Sequence, residues 1–174
     1  RGNNTMRHTV VFKSLAILAL SAGMSRSEDD VTQARTVRSQ GGTACQLSTP
    51  TIDTKVRAKA NGYRNEGTTN AFVICGYPLP NGALTQFNIN FTAIDGASYD
   101  VNCTAVNGPP WAAVYVAKSG SASSTQLNLN WNAGDFGGTA GNDMPTGYMS
   151  VTCLLPAQVG VDNVYVNYNE DVGT

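Results

Sequence analysis

Cys45, Cys75, Cys103 and Cys153 are the first residues whose type and spacing could do chemistry. Zinc wants cysteines in close pairs, two to four residues apart. Here the nearest two are 28 positions apart (103 − 75). The four therefore read as two disulfides of an exported protein. Three connectivities are open. The pairing Cys45–Cys75 with Cys103–Cys153 is preferred, because the latter two flank the middle of a compact β-rich run. The bonds are expected to weld two pleated layers into one rigid body. The only histidine, His8, lies in a leader-like segment. Serine–histidine and cysteine–histidine catalysis are thereby set aside, as are histidine-based metal sites.

Carboxylate pairs are the remaining route to catalysis. Glycoside hydrolysis needs two acids across a cleft, and Asp95 with Asp100, or Asp135 with Asp143, are the candidates. Each sits beside turn-forming residues, which favours turn chemistry over catalysis. Asp135, Asn142 and Asp143 also offer oxygen ligands for calcium on one glycine-rich loop, residues 133–143. No EF-hand pattern accompanies them, so no cofactor is expected beyond that one calcium candidate. Trp111, Trp131, Phe136 and Tyr77 fall at strand ends or loops, where aromatic rings can stack on sugars. Trp131 also fits the inward phase of its strand. Asn88, Asn90, Asn128 and Asn130 point outward and suit either glycans or an uncharged solvent face.

The elements that position these residues are strands. Three tripeptides echo one another: Val73-Ile74-Cys75, Val101-Asn102-Cys103 and Val151-Thr152-Cys153. Each puts valine and sulfur on one face of a strand, since residues two apart point the same way. Gln86 to Thr92 alternates cleanly, with Phe87, Ile89 and Phe91 inward. Leu127, Leu129 and Trp131 alternate likewise, as do Val164, Val166 and Tyr168. Val114 and Val116 share a side opposite Tyr115. The apolar run from Ala71 to Cys75 reads as a strand buried on both faces. Asn61-Gly62, Asn81-Gly82 and Asp95-Gly96 are turn signals, and Pro78 and Pro80 close the strand before them. The expected fold is all-β: a two-layer antiparallel β-sandwich, jelly-roll-like or Ig-like, with about eight strands.

Charged residues make up only 13% of the chain, about half the usual share. The formal net charge of −1 predicts no nucleic-acid partner. From Asn65 onward the single base, Lys118, stands against eight acids (1 − 8 = −7). Met6 is the expected start of translation. Arg7, His8 and Lys13, followed by the short apolar run Leu15–Ala22, read as a signal peptide cleaved near residues 22–26. That run is too short to span a bilayer. The expected division is leader 1–25, flexible spacer 26–44 and β-sandwich 45–174, in a secreted, extracellular or periplasmic protein.

From Cys75 to the C-terminus the chain resembles small secreted bacterial two-disulfide β-sandwich proteins of uncharacterised function. The resemblance rests on Cys75 with Pro78, Val101 with Cys103, the segment from Tyr148 to Cys153 with Pro156, and the strand Val164–Tyr168. It implies a secreted all-β domain and brings no active site. A weaker similarity is to spore-coat-U-like and fimbrial subunits, which pair an early cysteine with a Val-Thr-Cys strand. Together these readings favour a non-enzymatic surface structural or interaction module whose partners are other surface proteins or glycans. A carbohydrate-binding module using the exposed aromatics is the alternative, and a glycoside-active enzyme the third reading.

Overall fold

The computed structural model describes residues 31–49, 55–77 and 82–173. The leader, Pro78, Pro80 and Asn81 lie outside the described residues. Among the described residues eleven strands form: β1 (Thr32–Gln40), β2 (Cys45–Leu47), β3 (Val56–Lys59), β4 (Gly62–Asn65), β5 (Ala71–Gly76), β6 (Ala83–Ala93), β7 (Tyr99–Asn107), β8 (Val114–Ala122), β9 (Leu127–Asn132), β10 (Met149–Leu155) and β11 (Val159–Asp171). They build two antiparallel sheets. One has the order β3-β4-β11-β6-β9, with β1 also on β11; the other runs β2-β5-β10-β7-β8. The sandwich architecture is as the alternation predicts. The strand number exceeds the expected eight because segments without an alternating apolar signal, β1, β2 and β4, pair with β11, β5 and β11.

The core lies between the two sheets. Phe87, Ile89 and Phe91 of β6 meet Leu129 and Trp131 of β9 and Val164 and Val166 of β11 on the inner face of the larger sheet. The smaller sheet adds Val73, Cys75, Val101, Cys103, Ala105, Val151 and Cys153. A fully buried aromatic or branched side chain of this kind contributes about 1.5–3 kcal/mol. The tripeptide echo has a direct cause in the register. Cys153 lies opposite both Val73 and Cys103, and Val151 lies opposite Cys75. Antiparallel neighbours thus interleave valine and sulfur on one inner face.

Disulfides join Cys45 to Cys75 and Cys103 to Cys153. They do not weld the layers together. Each links directly opposite residues on neighbouring strands of the smaller sheet, β2 to β5 and β7 to β10. Their Cα–Cα separations are 4.1 and 4.0 Å, the close approach of a facing cross-strand pair. The sheets are held to each other by apolar packing instead.

Three other expectations are corrected. Residues 32–40, read as part of a flexible spacer, form β1 and pair with β11 through nine residues, Thr32 with Asp171 to Gln40 with Asn163. An edge strand needs little apolar content, and Val37 is the residue that β1 turns to the core. A short helical turn, Gly41–Ala44, then carries the chain to the other sheet. Gly41 packs so tightly that a Cβ would meet the Val161 carbonyl oxygen at 2.0 Å. The run Ala71–Cys75 is covered on one face only: Val73 and Cys75 are buried, while Phe72 is 58% exposed. The glycine-rich stretch after Asn132 begins with a 3-10 turn, Ala133–Phe136, closed by a reciprocal cap between Asn132 and Asp135.

Candidate functional site: the outer face of the smaller sheet

Because the valines and cysteines are pinned inward, the residues between them must face out. Three cross-strand rows result, each running β5, β10, β7, β8. They are Gly76–Ser150–Val106–Tyr115, Ile74–Thr152–Thr104–Ala117 and Phe72–Leu154–Asn102–Ser119. None of these positions carries a charge. The next row brings the first acid, Asp100, whose carboxylate accepts a 2.6 Å hydrogen bond from the Ser121 hydroxyl.

One end of this face is built by the β7–β8 connection. Asn107 is buried. Its Nδ2 donates to the carbonyls of Thr146 and Tyr148 at 3.0 Å each, and its Oδ1 accepts from the Thr146 backbone N–H and hydroxyl. These bonds hold the segment entering β10 against β7. The Gly108 N–H then donates to the Tyr148 carbonyl at 3.1 Å, continuing the ladder one step past β7. Gly108 has φ of 114°, a left-handed geometry that favours glycine. A Pro109–Ala112 turn, closed by a 2.9 Å bond from the Ala112 N–H to the Pro109 carbonyl, lifts Trp111 to the tip.

Tyr115 and Tyr148 are about two-thirds exposed, and Trp111 is 86% exposed. Among the described residues, seven large hydrophobic side chains are exposed, and five of them (Phe72, Trp111, Val114, Tyr115 and Tyr148) belong to this sheet or its hairpin. Val114 is in the opposite phase to Tyr115, so the outward rows themselves carry Phe72 and Tyr115, with Tyr148 and Trp111 at the end of the face; scattered exposure needs no explanation, whereas exposure gathered on one face marks a binding surface. Two hollows lie on the face. One of about 490 Å³ is lined by Phe72, Leu154, Thr152, Thr104, Asn102 and Lys118 among others. The second, of about 280 Å³, is lined by Tyr77, Val106, Gly108, Tyr148, Met149 and Ser150.

The aromatic platform expected from sequence is not assembled as a set. Trp111 is exposed, but Trp131 is fully buried, with its indole Nε1 donating to the Val116 carbonyl at 3.1 Å and its ring edge-on to Phe87. Phe136 is buried as well, because the 3-10 turn tucks it under the sandwich. Tyr77 is half-buried against the core and lines the smaller hollow; burial, and then Tyr168, push its hydroxyl pKa up. The sequence reading missed Phe72, Tyr115, Tyr148 and Leu154. For Phe72 and Leu154 the available signal was a place two positions from the middle residue of a Val-x-Cys tripeptide, Ile74 or Thr152; Tyr115 and Tyr148 carry no such signal.

The acids are occupied locally. Asp135 accepts from Lys118 Nζ at 2.9 Å and from the Asn132 N–H, whereas Asp143 accepts from Asn169 on β11. The two therefore sit in separate contacts. Asp95 accepts from the Tyr99 hydroxyl at 2.6 Å and from the Ala97 N–H. These bonds hold the Asp95 carboxyl below its usual pKa, and the same pair raises the Tyr99 hydroxyl. Among the described residues no group of three or more His, Cys, Asp or Glu side chains is gathered as a metal site. The basic strand β3 is also partnered: Arg57 and Lys59 both reach Glu66 at 3.0 Å, which lowers the pKa of that carboxyl.

The asparagines expected on an outward face lie on the larger sheet, and two of them, Asn88 and Asn90, are buried. Asn128 donates to Asn90, and Asn90 to Asn163; in the parallel row Thr36 donates to Asn167, and Asn167 to Gln86. Their amides are spent largely on one another. Asn88 is only 2% exposed and its Nδ2 finds no partner.

No known protein family matches the sequence, and no curated protein does. Neither resemblance drawn from the cysteine motifs is therefore supported by a sequence match. Among solved structures, the chain is similar to CBM35 from Paenibacillus barcinonensis, with 14% identity and a TM-score of 0.42, over 75% of this chain and 97% of that one. It is also similar to an exo-β-1,3-galactanase from Phanerochaete chrysosporium with galactose, at 16% identity and TM-score 0.38, over 76% of this chain and 29% of that one. A Podospora anserina GH26-CBM35 β-(1,4)-mannanase matches at 13% identity and TM-score 0.33, over 75% and 27%. Likeness at this level carries no conclusion about this chain.

Proposed function

We propose that the chain is an exported, non-catalytic carbohydrate-binding module whose platform is the outer face of the β2-β5-β10-β7-β8 sheet. The observation that carries this reading is the gathering of exposed rings and aliphatic groups on one uncharged face, interspersed with hydroxyls and one amide. Sugars present apolar ring faces and hydroxyl edges together, and such a surface matches both. The catalytic alternative lacks support, since each candidate acid is tied to a neighbour. Two disulfides suit an oxidising compartment, and no described helix is long and apolar enough to cross a membrane.

The test is a glycan array on the mature protein, with and without calcium, beside the Trp111→Ala and Tyr148→Ala variants. Binding that falls about tenfold or more in either variant supports the platform. Silence on every glycan, with multimers on sizing, would return the protein to the structural-module reading.

A further inference from the structure

The larger hollow occupies the rows containing Thr104, Thr152 and Leu154, and the smaller one the adjoining rows with Val106, Ser150 and Tyr148. Both therefore lie along the same two central strands, β10 and β7. From Tyr148 to Leu154 the furrow covers six residue steps, about 20 Å at the strand rise. Its floor is made of short groups, Ser150, Thr152 and Thr104, because the register sets them side by side on the outer face. Its flanks are rings: Phe72 on β5 near one end and Tyr115 on β8 near the other. The outward row positions along it are uncharged, and Lys118, which also lines the larger hollow, has its ammonium paired with Asp135 at 2.9 Å.

Resting on the carbohydrate-binding reading, we infer that the ligand is a neutral, linear polysaccharide held along its length in this furrow, not a chain end and not an acidic glycan. A ligand confined to a terminal sugar needs one enclosed pocket. Here two hollows sit on one line and stacking groups stand at both ends, so an internal segment bridges them. Charge complementarity points the same way. A polyuronate would bring carboxylates to a face whose one nearby cation, Lys118, is already neutralised by Asp135, and its chain would run toward Asp100. Recognition is therefore set by ring stacking and by hydroxyl and amide hydrogen bonds. It should be nearly independent of salt.

Calorimetric titration of the wild-type protein with neutral and uronic-acid oligosaccharides, from monosaccharide to hexasaccharide, tests the inference. Neutral oligosaccharides should tighten at least tenfold between disaccharide and hexasaccharide, with little change from about 0.05 to about 0.5 M salt. Phe72→Ala and Tyr148→Ala, at opposite ends, should each weaken the hexasaccharide about tenfold and leave the disaccharide less affected. Both sites are exposed, and circular dichroism verifies folding. Equal affinity for monosaccharide and hexasaccharide, or preference for the uronic-acid series, overturns the inference while leaving a carbohydrate-binding protein. No heat with any sugar, confirmed on the array, removes the parent reading too.

Discussion

The two tryptophans take opposite places in the structure. Trp131 is fully buried, donates Nε1 to the Val116 carbonyl and packs edge-on to Phe87 at 6.4 Å. Trp131→Ala removes the largest fully buried side chain and leaves a cavity between the sheets. Truncations of this kind cost about 3–5 kcal/mol, and the orphaned Val116 carbonyl adds about 1 kcal/mol. With a urea m-value of about 2 kcal/mol/M, the midpoint should fall by about 2–3 M. Trp111, 86% exposed at a turn tip, should change stability by no more than about 0.5 kcal/mol when truncated. Urea unfolding followed by far-ultraviolet circular dichroism measures both. Acrylamide should quench the wild type strongly and the Trp111→Ala protein weakly, since only Trp131 then emits. If Trp111→Ala cost as much as Trp131→Ala, the assignment of one ring to the core and one to the surface would be refuted.

Removing the cross-strand bonds should cost about 3.6 kcal/mol for the 30-residue separation of Cys45–Cys75 and about 4.1 kcal/mol for the 50-residue separation of Cys103–Cys153. Paired cysteine-to-alanine variants compared by thermal unfolding check the order. Asn88→Val deletes a buried amide whose donor is unpaired, and should stabilise the fold by about 1 kcal/mol in urea unfolding; destabilisation beyond that amount would show that the amide is satisfied. Asp95 has a lowered pKa in the fold, so its contribution is complete above the ordinary aspartate value of about 3.9 and is lost as pH falls through the lower folded value. Tyr99 has a raised pKa, so its contribution is present below about 10 and is lost as pH rises through the higher folded value. NMR titration of the Asp95 carboxyl and the Tyr99 ring should show both displacements, and Tyr99→Phe should move Asp95 back upward.

The fold was legible wherever one face of a strand is apolar and the other polar. Phe87-Asn88-Ile89-Asn90-Phe91 declares its own orientation, and the Val-x-Cys tripeptides place the cysteines inward. Legibility failed where a segment borrows its structure. β1 is polar and exists because β11 offers nine residues of free edge. The layered role imagined for the disulfides failed for a related reason: periodicity reports which face a cysteine takes, not whether its partner is beside it or across the core. The site was half-visible. An uncovered apolar strand and a buried one read alike, so Phe72 looked like core. Tyr115 and Tyr148 acquire meaning only once the register sets them at one end of a common face. Trp131 shows the converse, since its inward phase was readable and its ring is in fact part of the core.

Backbone amide chemical shifts, followed while a neutral hexasaccharide is titrated into the labelled protein, test the central claim most directly. The account predicts perturbations concentrated on Thr104, Val106, Tyr115, Ser150 and Thr152, with Trp111 Nε1 moving as well. Perturbations centred instead on Asn88, Asn90, Asn128 and Asn130, on the opposite outer face, would contradict it.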